Sequence, residues 1–169
     1  IHQVLNFNRI EDNEDSLLIL SRIELVSFSH SLFSVYEEDK RLTFLFETNK
    51  AKIYADMDAI KLGVILDSLL SNAVKFTPDG GSIRLSLFYR EETGLVDICV
   101  SDTGSGIPPR DIPYIFQRFF QSPHSGNKEG TGIGLYLVKT YTELHGGHIT
   151  GVTSEEGKGT SVGLNIPVI

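Results

Sequence analysis

The chain has 169 residues and a mass of 18.7 kDa, and its 40% hydrophobic and 22% charged residues are typical of an ordinary globular domain. Fifteen basic against 22 acidic residues give a net charge of −7, which argues against a broad surface for nucleic acid. A phosphate site built from backbone N–H groups stays possible, because it needs no net positive charge. The single cysteine, Cys99, excludes an internal disulfide and a zinc site made of cysteines alone.

The N-terminal half begins with residues 1–10, whose pattern is typical of the last turns of a helix, and an acidic run follows. Alternating and helical spacings then predict, in chain order, a strand over 16–23, a helix over 25–40, strands over 42–46 and 52–55, and a long helix over 58–76. The chain does not begin with Met, and we expect it to be a piece of a longer protein.

The long helix carries two seams of side chains at helical spacing. The apolar seam, which predicts the packed side, comprises Leu62, Leu66, Leu69, Ala73 and Phe76. The second seam ends in three polar residues, Ser68, Asn72 and Lys75. The amide oxygen of Asn72 is a suitable ligand for Mg²⁺, and the Lys75 cation, one turn further on, suits phosphate oxygens.

The C-terminal half predicts a hairpin of strands 82–90 and 96–100, an aromatic helix over 112–120 and a polar loop over 121–131. A helix over 133–144 and two strands, 148–154 and 160–168, complete the chain. This order is not the strict alternation of a doubly wound sheet. It favours an α+β fold, a two-layer α/β sandwich in which one mixed sheet has helices packed on one face.

Glycines cluster in three of the predicted loops, and their spacing excludes the Rossmann, P-loop and protein-kinase phosphate motifs. Turn formation alone explains any one cluster. One cluster, however, is combined with a carboxylate. Asp102 stands at the end of a strand, directly before a Gly-x-Gly turn, where its carboxylate can accept a hydrogen bond from a ligand amine. The stretch Gly132–Leu135 opens a helix whose free N–H groups favour phosphate.

Five stretches of the sequence, in order, resemble the motifs of the sensor histidine kinases. They are similar to the N box, the G1 box, the F box, the G2 box and the closing glycine-threonine strand of that family, and they occupy residues 69–81, 102–108, 115–121, 130–139 and 156–167. The resemblance covers residues 42–169. It implies a Bergerat-type ATP-binding fold, ATP and Mg²⁺ as ligands, and transfer of phosphate to histidine.

The resemblance also implies roles for individual residues. Asn72, which holds Mg²⁺, and Lys75, which contacts the phosphates, are the expected catalytic pair. The adenine site comprises Asp102, Gly104, Gly106, Ile107 and Thr160. The lid hinge and phosphate cradle comprise Gly130, Thr131, Gly132, Gly134 and Leu135. The lid itself is the loop 121–129, and its aromatic anchors are Phe116, Phe119 and Phe120.

Two positions depart from the family pattern. Ser68 stands where these kinases often carry a second Asn and where the related ATPases carry a catalytic Glu, and a serine cannot act as the base for water. We therefore expect weak ATP hydrolysis. Gln121 replaces an arginine that many members carry in the lid, and Lys128 is the candidate substitute.

The phosphoacceptor motif of the family is missing from the sequence, because neither His2 nor His30 has the acidic neighbour that it requires. Residues 1–15 resemble the exit of a dimerisation helix, and 16–169 then form the catalytic domain, with the substrate histidine upstream. The resemblance implies two partners, the protein's own dimerisation and phosphoacceptor domain and a response-regulator receiver domain. It also implies a membrane-anchored homodimer whose cytoplasmic portion includes this piece, itself monomeric.

Three alternatives stay open at this point. One is an ATPase of the same superfamily, which Ser68 disfavours. The second is a non-catalytic nucleotide-binding module that docks a partner. The third is transfer to serine, as in anti-sigma-factor kinases.

Overall fold

A computed structural model describes residues 17–122 and 132–168 of the chain. The strands are β1 (Ser21–Glu24), β2 (Thr43–Thr48), β3 (Tyr54–Met57), β4 (Ser82–Arg90), β5 (Leu95–Asp102), β6 (His148–Glu155) and β7 (Gly159–Pro167). The helices are α1 (Leu25–Tyr36), α2 (Ala59–Phe76) and α3 (Gly134–Leu144), and a 3-10 turn spans Ile112–Tyr114. None of the helices within these residues is long and apolar enough to cross a lipid bilayer.

The larger sheet has the strand order β2-β4-β5-β7-β6, in which β2 is parallel to β4 and the other neighbours are antiparallel. Side chains alternate along β4, so that Ile83, Leu85 and Leu87 are buried on the face that the helices cover. The opposite face leaves apolar side chains exposed, such as Leu45 and Phe88. The predicted α+β fold, with one mixed sheet and helices on one side, is confirmed.

Helix α2 is the central element of the helical layer, because it contacts both α1 and α3 as well as the sheet. Its buried residues are Leu62, Ile65, Leu66, Leu69, Leu70 and Ala73. This set contains four of the five members of the predicted apolar seam, and Phe76 at the helix end is half-buried. The remaining polar side of α2 is therefore free to face the candidate site.

Three predicted elements differ clearly in the structure. The helix predicted over 25–40 ends at Tyr36. Within the described part of the predicted strand 16–23, the strand begins at Ser21 and runs to Glu24, and it pairs with β3 in a separate two-stranded sheet. Before it, the backbone N–H of Ile19 donates to Asp58. The aromatic helix over 112–120 is wrong beyond its first turn. Pro113 lies at its start, and Phe119 has a left-handed backbone (φ 63°) with its N–H bonded to the Gly132 carbonyl. A helix cannot continue through that conformation.

The N-terminus of α2 is a junction between three parts of the fold. The Asp58 carboxylate caps the helix by accepting from the backbone N–H of Lys61 at 3.1 Å, and it also accepts from Ile19 N at 2.9 Å and Lys61 Nζ at 3.2 Å. The backbone N–H of Asp58 donates to Nε2 of His145, at the end of α3, at 3.1 Å. Because an N–H can only donate, Nδ1 of His145 carries the proton and donates to the Tyr141 carbonyl at 2.7 Å. His145 thus joins two helix ends.

Ser29 in α1 is buried, and among the residues that the structure describes its hydroxyl has no hydrogen-bond partner. A buried hydroxyl without a partner costs free energy, and Ala has the higher helix propensity. We expect Ser29→Ala to raise the free energy of unfolding by about 1 kcal/mol in urea titrations. Ser31→Ala, at an exposed position of the same helix, is the matched control. An equal gain in both variants would mean that only helix propensity acts.

Candidate functional site

Asp102 is the last residue of β5, and its carboxylate is held by two backbone groups. Oδ1 accepts from Gly104 N at 2.8 Å and from Thr160 N at 3.2 Å. In the described part of the chain Oδ2 accepts no hydrogen bond, so it is available to a ligand amine. Burial raises the pKa of Asp102, although the two N–H groups act in the opposite direction. The result is an acceptor of fixed orientation in a partly dehydrated setting.

The turn that follows Asp102 is fixed between the end of α2 and the β6–β7 hairpin. Ser105 N donates to the Phe76 carbonyl at 3.1 Å, and Gly157 N donates to the Ser105 carbonyl at 2.8 Å. At Gly104 a Cβ would lie 2.5 Å from the Phe76 carbonyl oxygen and 2.9 Å from Asp102 Oδ1. The close approach therefore requires glycine, and it brings the C-terminus of α2 against the Asp102 turn.

Gly104→Ala is expected to force this turn away from α2, because the nearer contact, at 2.5 Å, is with a backbone carbonyl oxygen, and the other, Asp102 Oδ1, is held by two backbone N–H groups. We expect a loss of about 1–3 kcal/mol in the free energy of unfolding, together with weaker nucleotide binding. Gly151→Ala is the matched control, since a Cβ at Gly151 meets nothing within 4 Å. Urea unfolding and calorimetric titration of both variants measure the two effects. A Gly104→Ala variant as stable as Gly151→Ala would contradict the close approach.

The β6–β7 hairpin bonds both to the Asp102 carboxylate and to the turn that follows it. Thr160 lies opposite Asp102 in the β5–β7 register, where its backbone N–H reaches the carboxylate. Gly106 has φ +76°, and a Cβ there would lie 2.2 Å from the Glu155 carbonyl oxygen. The next N–H, of Ile107, donates to Ser154 Oγ at 2.7 Å. Ser154 does not stand out in the sequence, because its partner Ile107 is distant in the chain.

The polar side of α2 holds Ser68, Asn72 and Lys75 at half-buried positions. Lys75 Nζ lies 5.0 Å from the centre of the Phe76 ring. Gly134 begins α3 beside Ser68, since a Cβ on Gly134 would lie 3.6 Å from Ser68 Cβ and Oγ. The start of α3 thus lies beside Ser68, one helical turn before Asn72 on the same side of α2.

The donor set fits a magnesium ion that reaches the site with a phosphate ligand. No group of three or more His, Cys, Asp or Glu side chains that could hold a metal occurs in residues 17–122 or 132–168. An amide oxygen such as that of Asn72 is a hard ligand of the type that Mg²⁺ accepts, and Mg²⁺ commonly takes one or two protein oxygens with its other ligands from water and phosphate.

The F-box aromatics lie around the start of α3. The backbone N–H of Phe119 donates to the Gly132 carbonyl at 2.9 Å, and the Phe119 side chain is 50% exposed. The Phe120 ring lies 6.1 Å from that of Tyr114. Phe116 and Leu135 pack against the main core. Of the proposed anchors, Phe116 therefore contacts the core and Phe119 is largely open to solvent.

The described residues bring the predicted site residues into two adjoining groups. Asp102, Gly104, Gly106, Ile107 and Thr160 form the first group. The second comprises Asn72 and Lys75 on α2 with Gly132, Gly134 and Leu135 at the start of α3, where Gly134 lies beside Ser68. The Phe76 carbonyl at the end of α2 accepts from the backbone N–H of Ser105 in the Asp102 turn. Gly130, Thr131 and Lys128 lie outside the described residues. The roles of all these residues in binding stay predictions.

Comparison with known proteins gives one family for the chain. The family model described as histidine kinase-, DNA gyrase B-, and HSP90-like ATPase matches residues 57–169. Sensor histidine kinase WalK of Bacillus subtilis is 32% identical over 160 residues, which are 92% of this chain and 26% of WalK. The chain therefore spans about a quarter of that relative.

Solved structures agree with the family match. The nucleotide-free catalytic domain of histidine kinase ThkA matches with a TM-score of 0.75 at 25% identity. The match covers 88% of this chain and 95% of the ThkA chain. Full-length ShkA in complex with AMPPNP matches with a TM-score of 0.83 at 26% identity. This match covers 98% of this chain and 34% of the ShkA chain.

Proposed function

We propose a phosphotransfer reaction for this chain, which belongs to the family of histidine kinase-, DNA gyrase B- and HSP90-like ATPases and is a catalytic ATP-binding domain of the histidine kinase type. In this reaction the chain transfers the γ-phosphoryl group of Mg·ATP to a histidine of the same parent protein, upstream of this sequence. The observation that carries the proposal is the Asp102 carboxylate, which two backbone N–H groups hold with one oxygen left for a ligand.

Adenine is the base that such a carboxylate selects. The exocyclic amine of adenine donates a hydrogen bond to an acceptor, whereas guanine presents a carbonyl oxygen at the same place and would repel a carboxylate. Gly104 and Gly106 let the backbone approach the base, and Ile107 lines it. Thr160 holds Oδ1 of Asp102, so that the remaining oxygen keeps a constant direction.

The reaction needs positioning and charge neutralisation more than a chemical base. In the transfer, the bond from the γ-phosphorus to its bridging oxygen breaks and ADP leaves with the electron pair. The unprotonated nitrogen of the imidazole forms the new bond to phosphorus, and the ring then loses the proton on its other nitrogen to solvent. Lys75 and the N–H groups of Gly132–Leu135 bind the phosphate oxygens, and Asn72 would hold the Mg²⁺, which would offset their charge.

Ser68 favours transfer over hydrolysis. It stands beside Gly134, on the side of α2 that carries Asn72, where the hydrolytic members of the family need a carboxylate base. A hydroxyl with an ordinary pKa does not deprotonate water near neutral pH. The bound ATP is therefore held intact until the acceptor histidine arrives.

The parent protein and its partners follow from the same proposal. The chain docks to its own dimerisation and phosphoacceptor domain, and the phosphoryl group passes on to the receiver domain of a response regulator in a two-component system. ThkA has been solved in complex with the response regulator protein TrrA. We further propose that the whole protein is a membrane-anchored homodimer with this domain on the cytoplasmic side.

The experiment supplies the acceptor in trans. The chain is incubated with γ-labelled Mg·ATP and a separate fragment that carries the parent protein's dimerisation helices. We expect label on the fragment that is lost in acid and kept in alkali, as a phosphorus–nitrogen bond requires, with little label released as free phosphate. Acid-stable label would indicate transfer to serine, rapid release of free phosphate an ATPase, and binding without transfer a docking module.

A further inference from the structure

Ser154, near the end of β6, is bonded to three different groups although nothing in the proposed reaction uses it directly. Its hydroxyl oxygen lies 2.7 Å from Ile107 N, 3.1 Å from the Gly159 carbonyl and 2.9 Å from Thr160 Oγ1. The side chain is half-buried between the hairpin and the turn that follows Asp102.

The partners of Ser154 fix which atom donates. The backbone N–H of Ile107 can only donate, so Oγ accepts from it, and the Gly159 carbonyl can only accept, so the Ser154 hydroxyl donates to it. The Thr160 hydroxyl then donates to Ser154 Oγ. A serine hydroxyl has one donor and two acceptor sites, and all three are in use. Such a fully bonded group has one orientation, and it holds its neighbours in one arrangement.

These bonds connect two sides of the adenine site. Ile107 is on the turn that lines the base, and Thr160 is the residue whose backbone N–H holds the Asp102 carboxylate. Because Ile107 N and the Thr160 side chain bond to the same hydroxyl, Ser154 holds the Ile107 backbone at a set distance from Thr160, and hence from the carboxylate that the Thr160 N–H contacts. On the basis of the proposed function, we infer that Ser154 is a positioning residue for the base and a determinant of the choice of adenine over guanine.

If Ser154 had a purely structural role in the β6–β7 hairpin, loss of its hydroxyl would disturb the hairpin and not the turn that follows Asp102. Ser154 pairs with Thr160 in the antiparallel register, and the backbone hydrogen bonds of that ladder do not involve the side chain. The bond to Ile107 instead joins the hairpin to a separate element 47 positions away in the chain. Loss of the hydroxyl therefore leaves the hairpin formed and releases the turn.

The test compares Ser154→Ala with Ser154→Thr, which keeps the hydroxyl, and with Thr153→Ala, an exposed neighbour on the same strand. Hydrogen exchange of the Ile107 amide is measured without nucleotide, and the Kd values for Mg·ATP and Mg·GTP are measured by calorimetry. We expect Ser154→Ala to speed hydrogen exchange at the Ile107 amide about tenfold and to raise the Kd for ATP about 3- to 10-fold. The ratio of the Kd for GTP to the Kd for ATP should decrease. Ser154→Thr restores these values, and Thr153→Ala moves none of them.

The other outcomes overturn either the positioning role of Ser154 or the proposed function. Unchanged exchange at Ile107 in Ser154→Ala, or faster exchange with unchanged affinity and base selectivity, overturns the positioning role. Equal weakening in Ser154→Ala and Ser154→Thr also overturns it, because the hydroxyl is then not what matters. A wild-type chain that binds neither nucleotide overturns the proposed function and with it this inference, whereas tight wild-type binding that Ser154→Ala leaves unchanged overturns the inference alone.

Discussion

Asp102→Asn is expected to weaken ATP binding by about 1.5–3 kcal/mol, which is roughly a 10- to 150-fold rise in Kd, without loss of stability in the ligand-free protein. The Asn oxygen can still accept from Gly104 N and Thr160 N. Its other atom is an NH₂ group, which meets the adenine amine donor to donor. The charge-assisted hydrogen bond to the base is lost while the turn keeps its geometry.

The stability of this variant follows from the raised pKa of Asp102. Burial raises that pKa in the folded chain, so the native state keeps a proton at pH values where the unfolded chain has lost it. The contribution of Asp102 to stability is thus present at low pH and is lost as the pH rises through the raised pKa. Asn cannot ionise, and we expect the variant to be as stable as the wild type at neutral pH or slightly more stable.

Thermal unfolding and calorimetric titration of the same preparations separate the two effects. Asp102→Ala serves as the contrast, since it leaves two backbone N–H groups without their acceptor and loses stability as well as affinity. If Asp102→Asn bound ATP and GTP as the wild type does, the carboxylate would not read the base.

Asp58→Ala is expected to lower the free energy of unfolding by about 3 kcal/mol, the largest loss of stability among these predictions. Asp58 is 3% exposed. Its carboxylate caps α2, pairs with Lys61 Nζ at 3.2 Å and binds the segment that precedes β1 through Ile19 N. Removing it leaves two backbone N–H groups without their acceptor and takes the paired carboxylate from Lys61, whose side chain is 12% exposed and whose Nζ also donates to the Leu17 carbonyl at 3.2 Å.

Asp56→Ala is the matched control, because Asp56 lies two residues earlier, is 53% exposed at its side chain and, among the described residues, has a 3.7 Å ion pair with Arg22 as its side-chain interaction. We expect its effect to be about 0.5 kcal/mol or less in urea unfolding. Equal losses in the two variants would contradict the junction at Asp58.

The loss in Asp58→Ala also depends on pH in a defined direction. Burial alone would raise the pKa of Asp58, but the hydrogen bonds from Ile19 and Lys61 outweigh it and lower the pKa. The contribution of Asp58 is therefore complete above the usual carboxyl pKa of about 4 and disappears as the pH falls through the lowered value. The deficit of the variant should shrink in acid.

Local patterns in the sequence predict much of the fold. The apolar seam of α2 has the helical period, and β4 and β5 alternate on either side of a short turn, so neighbouring residues alone define both elements. Asp102, Gly104 and Gly106 stand out for the same reason. Each of these features depends on residues close in the chain, which periodicity and turn chemistry can indicate.

The features that the sequence did not predict depend on contacts between distant residues. The aromatic stretch 112–120 has a helical spacing, but Phe119 bonds to Gly132 and leaves the helix. The separate β1–β3 sheet pairs strands about 30 positions apart, and Ile19, before β1, bonds to Asp58, directly after β3. The local sequence around Ser154 does not distinguish it from any other serine in a strand, whereas its bond to the distant Ile107 does. Periodicity carries no information about such pairs.

The most direct test is a calorimetric titration of this chain with ATP, in the presence of Mg²⁺ and then of a chelator. Asn72→Ala is measured in parallel, with Ser71→Ala, an exposed neighbour on α2, as its control. We expect binding in the micromolar range that requires Mg²⁺, is lost in Asn72→Ala and is kept in Ser71→Ala. Absence of binding by the wild type, or binding indifferent to both Mg²⁺ and Asn72, would contradict a magnesium-dependent ATP site.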